Sequence, residues 1–244
     1  MRKPEHVERQ VPPEVLSEIF LNIALFPFWS SDLRRPWWSF IPATDASPAY
    51  GYGLSTARCD PSLSRDIGAA SADPSAVIRL TFCPGDTPEI PRTGPEFRLP
   101  LSMDDFHTTF FIHASSIAHS GEMEMEAVKL ALLRLTRNSR NHAHRGVILV
   151  DAQAVGHALR KGRSSAGTFR FGVAAIAALS LIADMKISYP YLPSESNPAD
   201  YPSRGSVRLR TVRKSCKKTK RCPLEVRERA CRRAVRSWRH GGIV

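Results

Sequence analysis

Residues Gly146 to Val155 read GVILVDAQAV. Four apolar residues, three of them β-branched, run into Asp151, and helix-compatible residues follow. That pattern describes a buried strand with Asp151 at its carboxyl end, where open α/β sheets hold their ligands. A carboxylate in that position either caps the following helix or ligates a metal. The decision rests on whether other acids reach the same place, and the chain offers three.

Upstream, FIPATDASPAYGYGLST (40–56) reads as a hairpin. Asp45 ends its first strand facing inward, Ser47-Pro48 makes the turn, and Gly51 and Gly53 leave space in the return strand for another backbone. TTFFIH (108–113) is a third strand. In HSGEMEMEAVKLALLRLTR, Met125, Val128, Leu132 and Leu135 repeat at helical spacing, with Ser120 placed to cap. Glu124 falls in the first turn on the buried side, while Glu122 and Glu126 face solvent. Downstream of Asp151 the pattern gives a short helix (about 152–161), a Gly/Ser loop, a long helix (about 168–184) and the strand KISYPYL. Asp200 follows in SESNPADYPSRG, in a last helical turn.

The expected fold is α/β: a mixed five-stranded sheet flanked by helices, in the order β-β-β-α-β-α-β. In such a sheet the first and fourth strands are neighbours. Asp45 and Asp151 then meet at their carboxyl ends, and Glu124 and Asp200 close from either side. Four converging carboxylates repel and need a compensating cation. Hard oxygen donors suit Mg²⁺ or Mn²⁺ and not zinc. Two such ions, about 4 Å apart, activate a water and stabilise the leaving oxygen in phosphodiester cleavage.

Four motifs in this order resemble a known family. TDAS (44–47) with YGYG, EMEAVKLAL (124–132), LVDAQAV (149–155) and YLPSESNPADYPSRG (191–205) are similar to the ribonuclease H domain at the carboxyl end of retroelement reverse transcriptases. The last motif resembles the form seen in tyrosine-recombinase-type (DIRS-like) and related elements. The resemblance covers roughly 38–205. It implies a ribonuclease H-like fold, the catalytic and metal-binding set Asp45, Glu124, Asp151 and Asp200, two Mg²⁺ or Mn²⁺ ions, an RNA–DNA hybrid as substrate, and a reverse transcriptase module as a partner. Cellular members carry a His before the last Asp. Here the loop is PSESN, and Glu195 is the residue that would take part of that role. The basic protrusion of bacterial members is also missing. A non-catalytic nucleic-acid-binding remnant and an integrase- or transposase-type nuclease are the alternatives.

Charge divides the chain of 244 residues in two. The formal net charge is +12, and from Ser206 onward fourteen Lys/Arg face two Glu, so the remainder is neutral. A basic arm appended to a neutral domain fits a polyanion partner. The expected phosphate contacts are Arg208, Arg210, Arg213, Lys214, Lys217, Lys218, Lys220 and Arg221, with a further helix over Pro223 to Trp238. Residues 1–37 read as an amino-terminal segment with an amphipathic helix from Pro13, its apolar positions being Val15, Ile19, Ile23 and Leu25. Between 57 and 107 the composition shifts. Seven prolines fall from Pro61 to Pro100, and only VIRLTF (77–82) looks strand-like, so the expectation is a long, partly ordered surface insertion. Five cysteines without a C-x-x-C pair support neither a zinc ribbon nor a disulfide framework. No signal peptide or membrane span is expected, which points to an intracellular compartment, cytoplasmic or nuclear. Neither a Walker loop nor a G-x-S-x-G setting is present.

Overall fold

The computed structural model describes residues 10–26, 34–83, 86–116 and 118–206. It divides into a unit ending at Arg35 and a second beginning at Pro36. The expected basic contacts from Arg208 to Arg221 and the helix from Pro223 lie outside the described residues. In the first unit, Pro13 at the opening position starts α1 (Pro13–Leu25). The helix forms as its spacing predicts, but none of its residues is buried.

The second unit is mixed α/β. Its centre is β1 (Phe40–Ala46), paired antiparallel with β2 (Gly51–Arg58), which pairs antiparallel with β5 (Phe106–His113). On its other side β1 runs parallel to the strand quoted at the outset, which starts as β6 (Arg145–Val147). The Leu149 N–H donates to the Pro42 carbonyl at 2.9 Å, and the Thr44 N–H donates to the Leu149 carbonyl at 3.0 Å. β6 pairs parallel with β7 (Lys186–Ser188), and the ladder continues where the Leu192 N–H meets the Val150 carbonyl at 2.9 Å. Hydrogen bonds then pass outward from Tyr191 to β3 (Val77–Arg79), itself parallel to β4 (Glu96–Arg98).

The run from Val147 to Val150 is continuously apolar because both faces of its strand are covered. Ile148 and Val150 point to one core with Met125, Val128, Leu132, Val155 and Ile176. These come from α3 (Ser120–Thr136), α4 (Gln153–Lys161) and α5 (Gly167–Ile182). Val147 and Leu149 point to the other core, with Ile41, Ala43, Leu63, Ile67, Ile78 and Leu99. Gly146 opens the run because the Trp38 ring occupies the space: an added Cβ would lie 2.2 Å from a ring carbon.

That second core corrects the reading of 57–107. The segment is not surface decoration. It supplies α2 (Pro61–Ala70), β3 and β4, and it covers one face of the sheet. The signal for α2 was present in the sequence. The Asp60 carboxylate accepts the Ser62 N–H at 2.8 Å, Pro61 takes the first helical position, and Leu63, Ile67 and Ala70 are buried at helical spacing. The density of prolines outweighed it. A smaller correction concerns α3, where His119 rather than Ser120 caps, its Nδ1 accepting the Gly121 N–H at 3.2 Å. Among the described residues no helix is long and apolar enough to cross a membrane.

Candidate metal centre

Parallel pairing of β1 with the strand after Arg145 sets their carboxyl ends side by side. Asp45 is the penultimate residue of β1 and is 5% exposed. Asp151 directly follows Val150 and is half-buried. Glu124, also half-buried, arrives from the first turns of α3 between the buried Met123 and Met125, and its carboxylate accepts the Ala46 N–H. One carboxylate oxygen from each of the three acids lies within 4.8 Å of the others, the one such grouping among the described residues.

Asp200 stands apart from this trio. It opens the single-turn helix α6 (Asp200–Ser203), and its Oδ1 accepts the Arg204 Nε–H at 2.8 Å and forms an ion pair with Nη2 at 2.8 Å. Its charge nonetheless reaches Asp45. Three of the four expected acids therefore converge, and the fourth sits beside them in an ion pair.

The electrostatics follow from crowding without a cation. Burial pushes the Asp45 carboxyl up to about 8, helped by the charge of Asp151 and a hydrogen bond between the two carboxyls, while the polar Ser203 hydroxyl nearby pulls the other way. Burial pushes Glu124 up to about 9, with the charges of Asp151 and Asp45 adding to it. A pair of acids held this far above the ordinary carboxylate range is a strong acceptor for a hard divalent cation, and the all-oxygen donor set fits one.

Several residues that fix the site escaped the sequence reading. Asn197 is 1% exposed; its Nδ2 donates to the Thr44 carbonyl at 3.0 Å and to Asp45 Oδ1 at 3.3 Å, while its Oδ1 accepts the Ala199 N–H at 3.0 Å. It ties the approach to α6 directly to the end of β1. From sequence, Asn197-Pro198 announces only a turn. Glu195, the residue expected to take part of the histidine's role, is engaged in contacts of its own. Its buried carboxylate accepts the Ile90 N–H at 3.2 Å and pairs with Arg92 at 3.2 Å and Arg79 at 3.5 Å. It is a clamp between 79–92 and the loop before Asp200.

Gly53 explains how α6 comes so close. An added Cβ there would lie 2.5 Å from the Ser203 nitrogen and 2.6 Å from the Ala199 oxygen. This is the close backbone approach that the glycines of the return strand foretold. Gly53→Ala should lift α6 and destabilise the fold by roughly 1–3 kcal/mol in chemical denaturation; an unchanged midpoint would refute that packing.

The register of α3 yields a second test. Gln placed in turn at 122, 124 and 126 should abolish the rise in Tm caused by Mn²⁺ only at 124. Loss at 122 alone would mean that a different face of α3 meets the metal. No protein-family model, curated protein or solved structure matches this chain.

Proposed function

We propose that this chain is a divalent-metal-dependent endonuclease that hydrolyses the RNA strand of RNA–DNA hybrids, built on a ribonuclease H-like fold and derived from a retroelement reverse transcriptase. The observation that carries the reading is the convergence of Asp45, Glu124 and Asp151 from a central strand, a helix and the adjacent parallel strand. The order of the ladders supports the finer fold: three antiparallel strands ending in β1, then two parallel ones, with α3 entering between them in sequence.

Two Mg²⁺ or Mn²⁺ ions bound there would supply the charge that activates a water and stabilises the leaving oxygen. Asp45, Glu124 and Asp151 would hold the metal, with Asp200 contributing from the side. Asn197 fixes the Asp45 carboxylate so that it is oriented before any ion arrives. The backbone N–H of Ala46 favours the charged form of Glu124. Partners in this reading are the hybrid, gripped by the basic tail from Arg208 to Arg221, and a reverse transcriptase module.

The test is cleavage of end-labelled hybrid, duplex RNA and duplex DNA side by side with Mg²⁺. The expected result is scission of the RNA strand of the hybrid. Cutting of duplex DNA would favour an integrase-type nuclease, and hybrid binding without any cutting would favour a non-catalytic remnant. Deleting 206–244 should weaken hybrid binding and flatten its salt dependence by roughly 0.7–0.9 in log–log slope per lost phosphate contact. An unchanged slope would remove the tail from the binding surface.

A further inference from the structure

Asp200 is an acid whose charge is already matched. Arg204 lies one turn beyond it and places Nε and Nη2 on the same oxygen, Oδ1, at 2.8 Å each. The pair faces solvent: the arginine side chain is 62% exposed and the carboxylate 35%. The backbone beneath it is fixed. The Asp200 N–H donates to the Asn197 carbonyl at 3.2 Å, and the Ser203 hydroxyl donates to the Asp200 carbonyl at 2.9 Å. Asp200 and Arg204 themselves line a cavity of about 310 Å³ together with Asp86, Thr87, Glu195 and Tyr201, so the guanidinium has polar space in which to move off the carboxylate.

We propose that Arg204 is the built-in counter-ion of Asp200, which the second of two divalent ions has to displace, so that the chain binds its two ions with unequal affinity. This rests on the metal-centre reading above. Among the described residues the trio of Asp45, Glu124 and Asp151 makes no ion pair with a Lys or Arg; only the more distant charge of Arg204 reaches Asp45, and the trio takes the first ion directly. Asp200 gives up its arginine before it serves the second. Arg204 is thus a positioning residue: it acts through Asp200 and sets when the fourth acid joins the centre. Arginine suits the task, because its planar fork makes two bonds to one carboxylate where a lysine makes a point contact.

The test is a Mn²⁺ titration of the full chain, counting free ion by electron paramagnetic resonance, for the natural protein, Arg204→Gln, Arg204→Lys and Asp200→Asn. The natural protein should bind one ion tightly and a second more weakly. Arg204→Gln should tighten the second by roughly two- to fivefold, the range an exposed ion pair supports, and affect the first less, because Arg204 reaches Asp45 only through its more distant charge. Arg204→Lys should fall between, and Asp200→Asn should lose the second ion alone. A second-ion affinity unchanged or weakened in Arg204→Gln, with the first ion intact, overturns the role of Arg204 and leaves the metal centre standing. Failure of the natural protein to bind even one ion overturns both.

Discussion

Replacing Asp151 with Asn is expected to lower metal-dependent hydrolysis of the hybrid by roughly three orders of magnitude, since metal charge stabilisation is worth several kcal/mol. The fold should survive. Asp151 lies at the end of its strand and outside both apolar cores. After burial, its charge is the largest cause of the raised values at Asp45 and Glu124, so its removal relieves repulsion in the metal-free protein. The metal-free Tm should stay level or rise by about 2–4 °C for each kcal/mol relieved, with the gain growing as the pH rises. A variant that unfolds, or one that still cleaves at the natural rate, would refute the assignment of Asp151.

The second large effect is a coupling between pH and metal. Asp45 titrates near 8 and Glu124 near 9 in the folded chain, against ordinary values of 3.8 and 4.5. The folded state therefore binds more protons than the unfolded state between those limits. The stability this contributes is complete below about pH 4 and is lost as pH rises through 8 to 9, at on the order of 1 kcal/mol per pH unit for each group. Metal-free Tm should fall steadily from pH 5 to 9. A divalent ion competes with those protons, so the rise in Tm at fixed Mn²⁺ should be small at pH 5 and large at pH 8. Thermal melts across that range, with and without Mn²⁺, measure it directly. A flat metal-free profile, or an equal metal effect at both ends, would show that the three acids do not share one electrostatic environment.

The parts of this site legible in the sequence are those set by short-range pattern. An apolar run ending in an acid located Asp151, the Asp-containing hairpin located Asp45, and helical spacing put Glu124 on the side of Met125. The rest depends on contacts between distant segments. Nothing near Asp200 reveals that Arg204 takes its carboxylate, because an i,i+4 acid–base pair is also ordinary helix chemistry. Nothing near Asn197 reveals that it reaches Asp45, 152 residues earlier in the chain. The segment 57–107 departs from its expectation for another reason. Proline density reports how often regular structure is interrupted, and here the short pieces between interruptions are themselves core.

The clamp at Glu195 bears on how the protein fails when heated. Arg79 is 1% exposed and divides its guanidinium among Glu96, the Ile90 carbonyl and Glu195. Its Nη1 makes no hydrogen bond, only the 3.5 Å ion pair to Glu195. The segment that carries Asp200 is held to β1 by Asn197 and to the sheet edge by this one incompletely satisfied charge, while Asp45 and Asp151 sit at the ends of the central strands. Local opening takes the least-secured attachment first. Amides around 194–203 should exchange with solvent well before those of 147–150, and a substitution at Arg79 would give a chain whose fourth acid detaches at temperatures where the other three are still in place.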